Sequence, residues 1–292
     1  MGPKRKLALR IAAGLALLAA VLWYADPMAI GAQLEAIDPG FFAAGLAASI
    51  VSNVFSAARW AAIARTLGLA APLAGAVAMY FRGMTMNVLL PGATVSGDVL
   101  RGYQLARLEG NTGGRAAASV VLDRLSGLWI LCAMSLVSLG VALAAQLLVP
   151  GRSIGLYMAG LLVALALPWL PLPFARLEGL RRQALGARRA LLASAWLSVL
   201  VQVFSAAALW AFAFAAGINL SYAVMLAAAA PIFIMGAVPL GWGGFGAREA
   251  AAVVVLGAIA VPADQATTAA LLYGISALLQ GAGAAPLFLL KS

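Results

Sequence analysis

The segment LLPGATVSGDVLRG (residues 89–102) places one proline, three glycines, an aspartate and an arginine inside an otherwise apolar chain. Residues 72–90 before it are long enough to form a membrane-spanning helix, whereas residues 92–115 are too polar to span alone. The segment is therefore either a loop at the membrane surface or a helix broken inside the membrane. The choice between these two readings decides the topology of the whole chain.

The composition requires lipid as the surrounding solvent, because 64% of the 292 residues are hydrophobic and 10% are charged. The net charge of +10 comes from basic residues between apolar segments and not from one basic face, so we expect no nucleic-acid partner. The sequence has no histidine and its carboxylates are scattered, which argues against a metal site. We expect a protein that is not an enzyme and that has no cofactor.

Six apolar segments are long enough to cross the hydrocarbon core as helices of about 20 residues. They are 7–25, 41–65, 117–149, 153–170, 190–217 and 265–290. The first could be a signal peptide, but it lacks a convincing cleavage site, so we expect a retained span. The link 26–40 is acidic and the link 171–189 is rich in arginine, which places the first outside and the second inside. We expect a multi-pass protein of a bacterial-type inner membrane with both termini in the cytoplasm.

The distribution of arginines favours a re-entrant hairpin over residues 72–115. If residues 72–90 crossed the membrane, Arg101 and the arginine-rich link would both lie outside. With a hairpin that enters and leaves from the cytoplasm, every basic residue except Arg152 and Arg248 lies inside or in the hairpin. A shallow cytoplasmic loop is the alternative. Irregular backbone deep in the membrane must face protein or a water-filled cavity.

A repeated sequence indicates a second break. Val-Phe-Ser-Ala-Ala occurs at 54–58 and again at 203–207, and each copy is followed by an apolar arm and a Pro/Gly segment. The two copies start on opposite sides of the membrane, which is typical of transporters with inverted repeats. Residues 222–262 form either a second hairpin or two short spans.

The expected fold is an all-α polytopic membrane protein with about six full spans and two broken hairpins in an inverted repeat. We expect a single transmembrane domain over 1–292. It divides into an N-terminal span and outer loop (1–40), repeat 1 (41–150), a linking span with the basic loop (151–189) and repeat 2 (190–290).

The breaks have the chemistry of an anion site. A helix that begins inside the membrane presents unpaired N–H groups and the positive end of its dipole. Glycine lets an anion approach that backbone closely. Thr94 or Ser96 would be the N-cap, with Asp98 in the first turn. Arg82, Arg101 and Arg248 would supply positive charge to a phosphate.

Other roles are open for several charged residues. Asp98 and Arg101 could form a plain ion pair on a helix surface. Arg59, like Arg65, Arg107 and Arg115, is expected to extend to the membrane interface. Asp123 and Arg124 either lie at the interface or take part in the site.

Three motifs in this order resemble a known family. They are NVLLPGATVSGDVLR (87–101), SVVLDRLSGL (119–128) and VPLGWGGFGARE (238–249). The family is the flippase-like one that includes the membrane domain of lysylphosphatidylglycerol synthases. Its pattern is Asn and Leu-Pro-Gly with Gly-Asp and Arg, then an acidic-Arg pair, then Pro-x-Gly-x-Gly-x-x-Glu. This sequence has aspartate where the pattern has glutamate in the second motif, and extra spacing in the third.

The resemblance covers about residues 41–290 and implies translocation of a lipid. The candidates are a phospholipid, an aminoacylated phospholipid, a hopanoid-type lipid or a polyprenyl-phosphate carrier. Because no aminoacyl-transfer domain follows Ser292, we do not expect the lysine-adding activity of the synthases.

The leading expectation is a flippase for an anionic lipid. The alternatives are a non-catalytic membrane partner that delivers lipid to a separate synthase and, less favoured, an integral-membrane enzyme acting on a lipid phosphate. The expected partners of the protein are the bilayer, the anionic lipid and either a lipid-modifying enzyme or a second copy of the chain. The expected substrate-binding residues are Arg82, Asn87, Pro91, Gly92, Ser96, Gly97, Asp98, Arg101, Asp123, Arg124, Gly241, Gly243, Gly244, Arg248 and Glu249.

Overall fold

Helices make up nearly all of the chain that the computed structural model describes, which is residues 3–90, 95–167, 188–238 and 244–289. No strand occurs in these ranges, so the expectation of an all-α fold is confirmed for them. The helices are α1 (Pro3–Tyr24), α2 (Pro27–Glu35), α3 (Pro39–Thr66), α4 (Leu73–Leu89), α5 (Val95–Ala106), α6 (Gly113–Ala144), α7 (Arg152–Ala166), α8 (Arg188–Ala215), α9 (Tyr222–Ala237), α10 (Ala247–Gly257) and α11 (Ala263–Gly283), followed by a short 3-10 helix (Ala285–Leu289).

Four described helices are long and apolar enough to cross a membrane: α3, α6, the part of α8 from Ser194, and α11 with its 3-10 extension. The first expected span meets this criterion only when α1 from Ala12 is taken together with α2, and these two helices are bent by 82°. The described part of α7 has 15 residues, which is short of a full span. The chain is therefore a multi-pass membrane protein with four or five such spans in the described ranges. The expected span 153–170 continues beyond the described residues, so the count of six stays a prediction.

The acidic link 26–40 is more ordered than the outer loop expected from the sequence, since it contains α2. Asp26 caps α2 through the amide of Met28 at 3.0 Å, and Asp38 caps α3 through the amide of Gly40 at 2.7 Å. In each case a proline follows the capping residue at the first helical position, where its missing N–H costs nothing. Most of the basic link 171–189 lies outside the described residues.

Both expected breaks separate two short helices that pack against each other. The first helix pair is α4 and α5, and the second helix pair is α9 and α10. Glycine permits each contact. A methyl group on Gly83 of α4 would lie 3.0 Å from the carbonyl oxygen of Gly97 in α5. In the second pair Gly244 has φ +82° and lies against Gly236, a conformation and a contact that a larger residue would strain.

The order long, short, short, long occurs twice, as α3–α6 and as α8–α11. The Val-Phe-Ser-Ala-Ala copies face each other in the contact between α3 and α8. There the rings of Phe55 and Phe204 stack at 5.7 Å, and the hydroxyls of Ser52 and Ser205 are 2.7 Å apart. The repeated sequence is therefore the seam between the two halves.

The first short helix of each half also packs against the last long helix of the other half. In one direction, the Ser138 hydroxyl of α6 donates to the carbonyl of Ala223 in α9 at 2.7 Å. In the other, the Thr85 hydroxyl of α4 donates to the carbonyl of Gly281 in α11, also at 2.7 Å. Hydroxyl bonds between helices of this kind are a common means of association in lipid. Each helix pair is thus held in place by the opposite half.

We predict that Gly97→Ala lowers stability, because the added methyl group would lie 2.8 Å from Oδ1 of Asn87 and would also meet the backbone of Gly83. Overpacking of this kind costs about 1–3 kcal/mol. The matched control is Gly140→Ala in α6, where no atom lies within 4 Å of the added carbon. Thermal denaturation in detergent should show a lower midpoint for the first variant only. Equal midpoints would contradict the close contact between α4 and α5.

Candidate functional site

A cavity of about 300 Å³ lies between the two halves, at the low end of the range for small-molecule sites. Helices from both halves line it. Its polar lining residues are Ser49, Ser52, Asn53, Ser56, Arg59, Tyr80, Asn87, Asp98, Arg101, Arg124, Gln202, Ser205, Arg248 and Tyr273.

Residues from both helix pairs line this cavity. The expected site residues among its lining are Asn87, Gly97, Asp98, Arg101, Arg124 and Arg248. Behind the lining, Ser96 bonds to Asn87, Asp123 bonds to Arg101, Gly244 packs on Gly236, and Glu249 bonds to Arg248. The expected residues Pro91, Gly92, Gly241 and Gly243 lie outside the described residues, as does the candidate cap Thr94.

Two aspartates organise three of the arginines. Asp98 accepts from Arg101 Nε at 3.0 Å and from Arg124 Nε at 2.8 Å. Asp123 accepts from Arg101 Nη1 at 3.0 Å and from Arg59 Nε at 2.8 Å. The result is one chain of ion pairs, Arg59–Asp123–Arg101–Asp98–Arg124, that ties α3, α5 and α6 together. Buried charges need such pairing because isolated ones are too costly in an apolar interior.

The helical positions of these residues explain the pattern. Asp98 lies in the first turn of α5, and Arg101 follows three residues later on the same face. Asp123 and Arg124 are adjacent, so their side chains point about 100° apart and bond to different partners. Asp123 is 1% exposed, so its carboxylate is buried among protein groups. The Arg124 side chain is 40% exposed and lines the cavity, which makes it the accessible end of the network.

Arg59 is the residue that the sequence reasoning missed. It was expected at the interface, but it is 5% exposed, lines the cavity and has an Nη1 atom without a hydrogen-bond partner. Gly127 makes room for it, since a methyl group there would lie 2.8 Å from that Nη1. One sequence pattern could have predicted this position of Arg59. The spacing of Ser52, Ser56 and Arg59 places three polar residues on one face of α3.

Two aromatic rings also contact Arg101. Its guanidinium carbon is 4.9 Å from the ring centre of Trp60 and 5.2 Å from that of Tyr80. Cation–π contacts of this kind are strongest where water is excluded. Arg101 is 2% exposed, so its orientation is fixed by its neighbours and not by solvent.

The second helix pair presents Arg248 in a similar way. Its Nη2 is 2.9 Å from Oε1 of Glu249, and its guanidinium lies near the rings of Phe245 and Tyr273 at 5.2 and 5.8 Å. The other carboxylate oxygen of Glu249 accepts from the amide of Gly246 at the start of α10. Glu249 therefore both caps the helix and positions the arginine.

One amide near each of the two helix starts, that of Gly97 and that of Gly246, is already hydrogen-bonded to a side chain. Oδ1 of Asn87 accepts from the Gly97 amide at 2.7 Å and from the Ser96 hydroxyl at 3.0 Å. The Gly246 amide is bonded to Glu249. Because α5 begins at Val95, Ser96 lies in its first turn and is not the N-cap. The expectation of free amides is thus wrong for Gly97 and Gly246, and positive charge at the cavity comes from the arginine side chains.

Arg82 is placed differently from the other expected arginines. It is 6% exposed but is not part of the cavity lining, and its Nε donates to the carbonyl of Leu287 at 2.9 Å. Its bond joins α4 to the C-terminal 3-10 helix.

Among the residues that the structure describes, the charges around the cavity leave one positive charge in excess. Four arginines line it, namely Arg59, Arg101, Arg124 and Arg248, and they are paired with three carboxylates, Asp98, Asp123 and Glu249. An excess charge in an apolar surrounding is costly unless an anion joins it. The site is therefore suited to bind a single negative charge.

We predict that Asp123→Asn strongly destabilises the protein, because it leaves the buried Arg59 without a carboxylate partner and leaves Arg101 with Asp98 alone. Removing one partner of a buried ion pair costs about 3–5 kcal/mol. Adding Arg59→Gln to the same chain should recover part of this loss. Glu109→Gln, which changes an exposed carboxylate, is the control and should have no effect. Thermal denaturation in detergent is the measurement, and an unchanged midpoint for Asp123→Asn would contradict the network.

Comparison with known proteins gives one result that bears on this geometry. A search of curated proteins finds no match to the chain. The family described as the lysylphosphatidylglycerol synthase TM region matches residues 11–282, a range that includes both helix pairs and every residue of the ion-pair network. The chain therefore belongs to the family of the lysylphosphatidylglycerol synthase transmembrane region.

Proposed function

We propose that this protein translocates an anionic lipid and that the lipid phosphate binds in the cavity between the two halves. The observation that carries the proposal is the set of four arginines around that cavity, with one positive charge in excess. Charged residues inside a membrane protein are costly enough to indicate function. Family membership supports a role connected with membrane lipids.

A phosphodiester headgroup matches the excess charge, because it carries a single negative charge. It would bind first to Arg124, whose side chain is 40% exposed, and then to Arg248 across the cavity. The unpartnered Nη1 of Arg59 offers a further donor. Hydrogen bonds between arginine and phosphate are among the strong ones, since both partners are charged.

We propose that the two helix pairs are re-entrant hairpins that enter from opposite faces, within a single transmembrane domain whose halves form an inverted repeat. None of α4, α5, α9 and α10 is longer than 17 residues, so each is shorter than the roughly 20 residues of a full span. The repeated helix order and the packing of each first short helix against the opposite half support the inversion. In this arrangement both termini face the cytoplasm of a bacterial-type inner membrane.

Transport has more support than chemistry at this site. An enzyme acting on a lipid phosphate needs a nucleophile or a base, and the carboxylates nearest the breaks, Asp98 and Glu249, are both bonded to arginines. We propose instead that they hold the arginines in position and release them to the phosphate as it arrives.

We predict that Arg124→Gln and Arg248→Gln each slow lipid movement at least about tenfold. A hydrogen bond to a charged group contributes about 1.5–3 kcal/mol, and 1.4 kcal/mol corresponds to a factor of ten. Arg107→Gln is the matched control, because Arg107 is exposed and is not part of the cavity lining. The assay uses liposomes containing fluorescent phosphatidylglycerol, and a membrane-impermeant reductant measures how fast the label changes leaflet.

Two outcomes of that assay would count against the proposal. One is a rate for the unchanged protein no greater than that of empty vesicles. The other is an equal loss of rate in all three variants, which would show that arginine content matters and the cavity does not.

The hairpin architecture predicts which face of the membrane exposes the ends of each pair. In a Cys132→Ala chain, single cysteines at Ala70 and Glu109 should react with an impermeant maleimide from one side of sealed vesicles. Cysteines at Asn219 and Ala258 should react from the other side. If the two members of either set reacted from different sides, the corresponding helix pair would cross the membrane and the inverted-hairpin proposal would fail.

A further inference from the structure

A second concavity lies on the outer surface of the helices, between α3, α4 and α11. Its volume is about 350 Å³, and its lining includes Leu46, Ile50, Phe81 and Leu287. Gln280 is the one polar residue among the lining residues of this groove in the described part of the chain. Ile50 and Leu279, which line the groove, are 39% and 48% exposed, so the groove is open at the outer surface of the helices.

On the side of α3, the side chain of Gln280 connects this groove to residues that line the central cavity. Gln280 Nε2 donates to the hydroxyl of Ser49 at 2.9 Å, and Gln280 Oε1 accepts from Asn53 Nδ2 at 2.8 Å. Ser49 and Asn53 both line the central cavity. The side-chain amide of Gln280 therefore bonds to two residues that line the central cavity, while Gln280 itself lines the groove.

On the side of α4, close contacts between α4 and α11 also connect the groove to the lining of the central cavity. The Thr85 hydroxyl donates to the carbonyl of Gly281 at 2.7 Å, and a methyl group on Gly281 would lie 3.0 Å from the carbonyl oxygen of Met84. Met84 lines the central cavity. Two residues further along, a methyl group on Gly283 would meet no atom within 4 Å, which marks open space in the groove.

We propose that this groove binds an acyl chain of the lipid whose phosphate occupies the central cavity, and that the Gln280 amide is the gate between them. The inference rests on the proposed function. A phospholipid joins a charged headgroup covalently to apolar chains, so a cavity lined by arginines can hold only the headgroup. The adjoining groove has the opposite lining. Two hydrogen bonds between neutral side chains close the gate, and these break more readily than the buried ion pairs of the cavity.

The test uses the full chain in liposomes that contain a trace of phosphatidylglycerol with a photoactivatable diazirine in one acyl chain. After illumination, mass spectrometry should find the cross-links concentrated on Phe81, Leu287 and their neighbours in the groove. Gly283→Leu fills the open space and should reduce this labelling at least about fivefold. Gly140→Leu, at an exposed position on α6 with equal room, is the matched control and should leave the labelling unchanged.

Diacylglycerol with the same photoactivatable chain separates a specific site from ordinary boundary lipid. The proposal expects groove labelling several-fold weaker with this probe, because it lacks the phosphate that the cavity binds. Equal labelling by the two probes, or labelling unaffected by Gly283→Leu, would overturn the proposal.

A second measurement covers the case in which Gly283→Leu fails to fold. In a Cys132→Ala chain, cysteines at Asn53 and Gln280 would be joined by a short reducible cross-linker to lock the gate. Lipid movement should stop on cross-linking and return on reduction. Movement that continues with the gate locked overturns the gate while leaving the proposed function intact, whereas no movement in the unchanged protein overturns both.

Discussion

The structure depends on the rule that a charge inside the hydrocarbon layer must be paired with another charge. Asp98 and Asp123 satisfy this rule for Arg59, Arg101 and Arg124, and in doing so they fix α3, α5 and α6 relative to one another. The pairing is incomplete by one negative charge. We infer that the unbalanced positive charge is functional, because a site that lacks one negative charge favours a ligand that carries one.

Glycines and the two breaks place these charges where a ligand can reach them. Gly97 allows α5 to lie against α4, so that Asp98 in the first turn of α5 and Arg101 in the second face the interior. In the second half, Gly244 has a positive φ beside Gly236, and α10 then presents Arg248 to the same cavity. A continuous spanning helix in either place would turn some of these charged positions toward lipid.

Local sequence predicted the features that depend on neighbouring residues. The breaks, the Asp98–Arg101 spacing and the Arg248–Glu249 pair could all be inferred within a few positions of a Pro/Gly segment. Arg59 could not, because its partner Asp123 is 64 residues away and the pairing depends on how α3 packs against α6. The bond from the Gly97 amide to Asn87 could not be predicted either, because Asn87 reaches that amide only once α4 folds back on α5. Arg82 resembled the other intramembrane arginines in sequence, yet its bond is to Leu287 near the C-terminus.

A structure determined in nanodiscs rich in phosphatidylglycerol tests the central claim most directly. The account predicts phosphate density in the cavity, within hydrogen-bond distance of the Arg124 and Arg248 guanidinium groups, that disappears when the nanodiscs contain only neutral lipid. A cavity that holds water alone, with every lipid phosphate confined to the two surfaces of the bilayer, would contradict it.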